Sequence, residues 1–332
     1  MGDPLKGHTS SVLALAVGKR SDGTPVIVSG GYDRTIRIWN LDTGKPIGKP
    51  LKGHRQEVYS LAISKRSDGT PIIISGGEED STVRIWNLDT GKPLGKPIVS
   101  ERDIMWGVAT EKLRDGTPVI AATAGGIRSV IGLWNLDTGK HIKRSFTEVF
   151  TTTTDLATGK RSDGTPVVVT GNTEGRTRIW SLETGKPLSK SLFSCRECQA
   201  RALAVGQRRN GIPVAVSANT DFPLEEDTPD GKIWTWNLNT GKPVGKPIKI
   251  PATRFADMAV GRRGDGSPVI AYGDDSGNVS IWDLDTGEAV GDPFAAHSDT
   301  IFALAMGERS DGTPVLVTGS RDKTIRIWSL TP

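Results

Sequence analysis

Apolar and polar positions along this chain repeat in a fixed order. Val12 to Val17 is an apolar run, and Asp22-Gly23 is a dipeptide favoured in tight hairpin turns. "PVIVSG" from Pro25 is a second, β-branched run, and "TIRIW" alternates Thr35, Arg37 and Trp39 with Ile36 and Ile38. These patterns predict strands. Asp42-Thr43-Gly44 then supplies a polar turn whose glycine is free to take positive φ.

The same order recurs with two anchors. A tryptophan followed by Asn, Ser or Asp stands at Trp39, Trp86, Trp134, Trp180, Trp236, Trp282 and Trp328, and a Gly-x-Pro lies upstream of each, at Pro25, Pro71, Pro118, Pro166, Pro213, Pro268 and Pro314. Seven units with a period of about 46 residues, each read as four short strands, fit propeller blades and are too long for leucine-rich or ankyrin units.

Repetition changes how candidate chemistry is read. Asp42-Thr43-Gly44 is the triplet that aspartic proteases carry at their catalytic carboxylates. It recurs at Asp89, Asp137 and Asp285, and as Glu183-Thr184-Gly185 and Asn239-Thr240-Gly241. A triplet present in most units, with a replaceable acid, reads as turn punctuation.

Composition supports an all-β array forming a single domain over residues 1–332. The 332 residues are 36% hydrophobic and 24% charged, with no apolar run long enough to cross a bilayer. The start "MGDPLKGHTS" has neither the basic region nor the apolar core of a secretion signal, so the expected compartment is the cytoplasm. The formal charge is +4, but Lys45, Lys92, Lys186 and Lys242 fall in equivalent turns. Nucleic acid is therefore not the expected partner, nor is a membrane.

Several features carry a family resemblance. They are Gly-His in Gly7-His8 and Gly53-His54, Ser-Gly on the second strand, Asp six residues before a strand-ending Trp, and "IWN" or "IWD". Together they resemble WD repeats, in the style of bacterial WD-repeat domains attached to signalling proteins. The resemblance implies an all-β, seven-bladed β-propeller of four-stranded antiparallel blades, a platform for protein partners. It also implies a structural hydrogen-bond set of His8, Ser29, Asp33 and Trp39 in unit 1, His54, Ser75, Asp80 and Trp86 in unit 2, and His297, Thr318, Asp322 and Trp328 in unit 7. The middle units depart from it: Glu101, Val149 and Pro251 stand where His is expected, and Arg128 and Ser276 replace two of the Asp residues.

The ends predict closure. The last unit stops after its third strand at "IRIWSLTP", while "GDPLKGH" at the start copies "GDPFAAH" at Gly291 to His297. Asp3 to Lys6 is expected to complete the last blade and remove its open edge.

Length variation points to a binding face. From each repeat Trp to the next repeat Pro the chain takes 32 residues, or 33 between Trp180 and Pro213, whereas from Pro to Trp it takes 14 to 23. Insertions thus gather between second and third strands, on one face, as binding loops on a constant scaffold would. On the inner strands the residue after the first apolar position gives the series Leu13, Tyr59, Trp106, Thr154, Arg201, Ala256 and Phe302. Phe302, Leu13, Tyr59 and Trp106, joined by Tyr32, form the expected partner-binding arc, on units 7, 1, 2 and 3; the alternative is that these rings fill the channel or pack between blades.

Other candidates are weaker. The acidic insertion Ala218 to Gly231 lacks the glycine-centred ligand pattern of a calcium loop, and Cys195 and Cys198 have no second pair to complete a zinc set. No metal, cofactor or catalytic cluster is expected. The reading is a non-catalytic interaction scaffold or sensor, a monomer that stands alone or within a larger polypeptide, and that binds a protein or peptide. A glycan- or small-ligand-binding, lectin-like propeller is the alternative.

Overall fold

A computed structural model describes residues 3–77, 81–99, 105–124, 130–147, 152–189, 192–193, 198–221, 231–250 and 257–331. Among them there are seven four-stranded antiparallel sheets and no helix. In blade 1 the strands run Val12–Lys19, Pro25–Gly31, Thr35–Asn40 and Leu51–Lys52 from the axis outward, each paired with the next. The innermost strands of successive blades pack on one another around the ring.

The second strand of blade 1 is buried at every position, because it lies mid-blade with a neighbouring blade on each face. Val26 and Val28 pack with Val58, Ile73, Trp86 and Leu88 of blade 2. Ile27, between them in sequence, turns the other way to join Trp39 and Leu41 against Val315, Val317 and Ile325 of blade 7. The two-residue period of a strand thus feeds two clusters. Each of the seven junctions has such a cluster, so the core lies between blades, and no blade buries its apolar faces alone.

The ring closes as the sequence implies. Leu5 pairs with Ile325 and Lys6 with Thr324, placing the amino-terminal strand outside the third strand of blade 7. The pairing is shorter than expected, since the strand is Leu5–Lys6 and Asp3 and Pro4 stay outside it.

The DTG turns do more than punctuate. Each accepts hydrogen bonds from the first hairpin of the preceding blade. Ser21 donates its backbone N–H to the Asp89 carboxylate, and Arg20 donates to the Asp89 carbonyl at 2.7 Å. Ser67 engages Asp137, Arg114 donates to Glu183, and Ser162 donates to the Asn239 side chain. Arg208 grips the carboxylate and carbonyl of Asp285, and Ser310 and Arg309 reach Asp42. At the junction of blades 6 and 7, where the chain reads Leu330-Thr331, Gly264 bonds the Leu330 carbonyl instead. Asp, Glu and Asn all serve because each presents a side-chain oxygen acceptor. The uniformity of this face therefore has a structural cause, and the contrast with the variable face does not by itself mark the latter for binding.

Candidate functional site

Pairing registers locate the proposed arc. Val12 pairs with Gly31 and Ala14 with Gly30, so Leu13 is the extra residue of a β-bulge. The same irregularity falls at Tyr59, Trp106, Thr154, Arg201 and Phe302. In blade 6 the inner strand is described from Asp257, and Ala256 lies outside the described residues. A bulge re-aims one side chain per blade, and Val12 lies opposite Gly31, just before the second-to-third-strand turn. These residues therefore sit at the end of the inner strands that carries the variable connections.

Leu13, Tyr59 and Phe302 are half-buried. Tyr32 is 51% exposed, and its N–H donates to the Ser11 carbonyl at 2.9 Å, which ties it beside the blade 1 bulge. Of Trp106 the backbone is on the inner strand Met105–Lys112, and its side chain lies outside the described residues. So do Asp80, Glu101, Arg128, Val149, Cys195, Pro251 and most of the acidic insertion.

The His, Ser or Thr, Asp and Trp sets are assembled where the sequence is complete. Trp39 Nε1 donates to Ser29 Oγ at 2.9 Å, Ser29 Oγ lies 2.8 Å from His8 Nε2, and His8 Nδ1 lies 2.9 Å from the Asp33 carboxylate. The indole can only donate, so the Ser29 hydroxyl proton points to His8 Nε2 and the His8 Nδ1–H to Asp33. Blade 7 repeats this with Trp328, Thr318, His297 and Asp322. Blade 2 shows Trp86, Ser75 and His54. Asp33 also accepts from the Thr9 N–H and the Thr35 hydroxyl. Burial works against its charge, but the bonds from His8, Thr35 and Thr9 outweigh burial and hold Asp33 well below the ordinary carboxylate range. Asp322 is held down likewise by His297 and Thr324.

This is not a hydrolase triad. Ser29 is wholly buried and its oxygen is committed to both Trp39 and His8, so no substrate reaches it. The set instead ties the loop before the inner strand to the second and third strands.

The incomplete units keep part of the arrangement. Trp180 still donates to Thr170 and Trp236 to Ser217. In blade 6, Tyr272 occupies the serine position and meets Trp282 edge-on, with ring centroids 6.3 Å apart. Asp274, two residues before Ser276, accepts from the Ser276 and Asn278 N–H groups and holds that turn.

Two residues that the sequence reading passed over line the axis. Immediately after the bulge the seven units carry Ala14, Ser60, Gly107, Asp155, Ala202, Asp257 and Ala303. Asp155 accepts the Leu203 N–H of blade 5 at 2.7 Å and the Leu156 N–H at 2.8 Å. Asp257 accepts the Leu304 N–H of blade 7 and the Met258 N–H, both at 2.7 Å. Ser60 serves the Val108 N–H of blade 3 in the same way. An inner strand has an unpaired edge facing the axis, and these side chains satisfy its N–H groups. Burial, with the nearby Asp257 charge, pushes the Asp155 carboxyl up to about 7, against the opposing pull of its two N–H bonds. Burial pushes Asp257 up to about 6. Two acids in a column otherwise occupied by Ala, Ser and Gly were the available signal.

Among the described residues no group of three or more His, Cys, Asp or Glu side chains could hold a metal ion. Among the described residues no helix is long and apolar enough to cross a membrane.

Comparison with known proteins agrees with the geometry. The family described as WD domain, G-beta repeat matches residues 3–40, 44–87 and 290–329. These are the stretches that contain the three sets named from the sequence. No curated protein matches the chain. WD40 propellers generally mediate protein–protein interaction. Three stretches of the chain thus match WD40 repeats, within a seven-bladed β-propeller.

Proposed function

We propose that this propeller is a non-catalytic interaction module that binds a protein or peptide through the variable face, at the arc formed by Phe302, Leu13, Tyr59 and Trp106 with Tyr32. One observation carries the reading. Among the described residues the inner strands of blades 1 to 5 and 7 each carry a bulge at the loop-bearing end, and its extra residue is Leu13, Tyr59, Trp106 or Phe302 in blades 1, 2, 3 and 7 but Thr154 or Arg201 in blades 4 and 5. Tyr32, half exposed next to the blade 1 bulge, extends the same arc. Aromatic anchors of this kind dominate binding energy at protein interfaces. In this reading the chain is a single domain that works as a cytoplasmic scaffold or sensor, as part of a larger signalling polypeptide or beside one.

The test is Tyr59→Ala or Trp106→Ala. Each weakens partner capture at least about tenfold, since losing one anchor costs about 2 kcal/mol, and leaves the melting temperature nearly unchanged. Unaltered capture, or a fall in stability that matches the loss of binding, overturns the assignment. A glycan array is expected to be silent.

A further inference from the structure

The outer wall of blade 1 holds a cleft of about 600 Å³. Its lining includes Arg37, Lys49 and Lys52, with Thr9, Thr35 and Asp33. Arg37 is on the third strand and Lys52 on the outer strand. Lys49 precedes that strand by two residues, so three cations from two adjacent strands open on one space. The cleft lies on the circumference of the disc, apart from the channel mouth.

Arg37 is held in place. A Cβ on Gly7 would stand 2.9 Å from Arg37 Nη1 and 2.8 Å from the Trp39 ring, so the absent side chain at Gly7 makes room for the guanidinium. The Arg37 Nε is buried without a hydrogen-bond partner, as are those of Arg84 and Arg326 at the equivalent positions of blades 2 and 7, so what sets blade 1 apart is the pair of lysines beside it. Asp33 is already committed to His8, Thr9 and Thr35. Three cations less that one carboxylate leave two positive charges on the lining.

The other blades lack this coincidence. The strand registers align Arg37, Lys49 and Lys52 with Arg84, Lys96 and Val99 in blade 2, and with Trp234, Lys246 and Lys249 in blade 5. Blade 6 has Ser280, Asp292 and Ala295, and blade 7 has Arg326, Asp3 and Lys6. A basic residue at one or two of these positions is common, and all three occur only in blade 1.

We infer that the blade 1 wall cleft is a binding site for a phosphomonoester group. Such a group carries close to two negative charges near neutral pH and three acceptor oxygens, matching the net charge of the lining and the unused donors. Arg37 supplies a planar, preplaced fork, and Lys49 and Lys52 supply compact charges on flexible stems. The inference does not depend on the channel-mouth reading.

The experiment titrates ¹⁵N-labelled protein with inorganic phosphate, with a phosphoserine peptide and with the same peptide unphosphorylated, following the Arg37 Nε–H resonance. A saturable shift is expected with a phosphorylated probe and none with the unphosphorylated peptide. Tighter binding of the phosphopeptide assigns the site to a modified protein chain, and binding of phosphate without the peptide assigns it to small phosphorylated molecules. Lys49→Ala with Lys52→Ala, both at exposed positions, weakens binding at least tenfold, and Lys96→Ala in blade 2 leaves it unchanged. No saturable shift with either phosphorylated probe, an equal response to the unphosphorylated peptide, or equal weakening by Lys96→Ala overturns the site.

Discussion

The carboxylate of Asp42 accepts the backbone N–H of Ser310 at 3.0 Å, a bond that spans 268 positions of sequence and joins blade 7 to blade 1. Its counterparts run around the disc, so the first residue of each DTG-type turn, Asp, Glu or Asn, is an inter-blade acceptor. Asp42→Ala or Asp89→Ala is expected to lower stability by about 1 kcal/mol, the net worth of a lost hydrogen bond. Asp42→Asn should cost much less, because Asn239 already fills this role between blades 4 and 5. Thermal melts of the three variants check this, and equal losses for Ala and Asn would contradict it.

Deleting Met1 to Lys6 removes the outer strand of blade 7 and takes Leu5 from the cluster between blades 7 and 1. The melting temperature is expected to fall sharply, because the third strand of blade 7 then presents an open edge. A truncated protein that melts like the full chain would show that closure does not depend on this strand.

The hydrogen-bond sets predict a different signature. Loss of Asp33 or Asp322 removes the acceptor at one end of its set. The structure limits the damage to His8 or His297, because Trp39 and Trp328 bond to Ser29 and Thr318. Asp33→Ala and Asp322→Ala should still cost about 1–3 kcal/mol, since each removes the carboxylate acceptor of a buried imidazole N–H. Both carboxyls lie below the ordinary value of 3.8 in the fold. Their contribution is present above that value and is lost as pH falls below it. Variants that melt like the parent would remove the structural role.

Asp155 and Asp257 act in the opposite sense. Their carboxyls are raised to about 7 and about 6 from 3.8. The native state therefore holds protons that the unfolded chain has released, and their contribution to stability is full below about pH 4 and declines as pH rises towards 7. Asp155→Asn with Asp257→Asn should flatten the dependence of melting temperature on pH across that window, whatever it does to stability at any one pH. An unchanged slope would show that these carboxyls titrate normally.

Much of the fold was legible because it repeats. Strand alternation, the Trp and Pro anchors and the copied ends fixed blade number, strand order and closure, and the complete His, Ser or Thr, Asp and Trp sets stood out as spaced letters. The channel acids did not, since Asp155 and Asp257 are ordinary residues whose role depends on an N–H of the next blade, 48 and 47 residues away. The DTG acids were visible but misread as turn residues alone, because the donors they meet belong to neighbouring blades. The bulge series was found by aligning apolar runs, and the extra residue it picks out became intelligible only from pairing registers.

The most direct test of partner binding on the variable face places a photo-crosslinking amino acid at Tyr32, and in a second variant at Thr43 on the uniform face. Each protein is incubated with the captured partner and irradiated. The account predicts a covalent adduct from position 32, abolished by Tyr59→Ala, and none from position 43. Adducts from position 43 alone, or adducts from position 32 that persist unchanged in Tyr59→Ala, would contradict it.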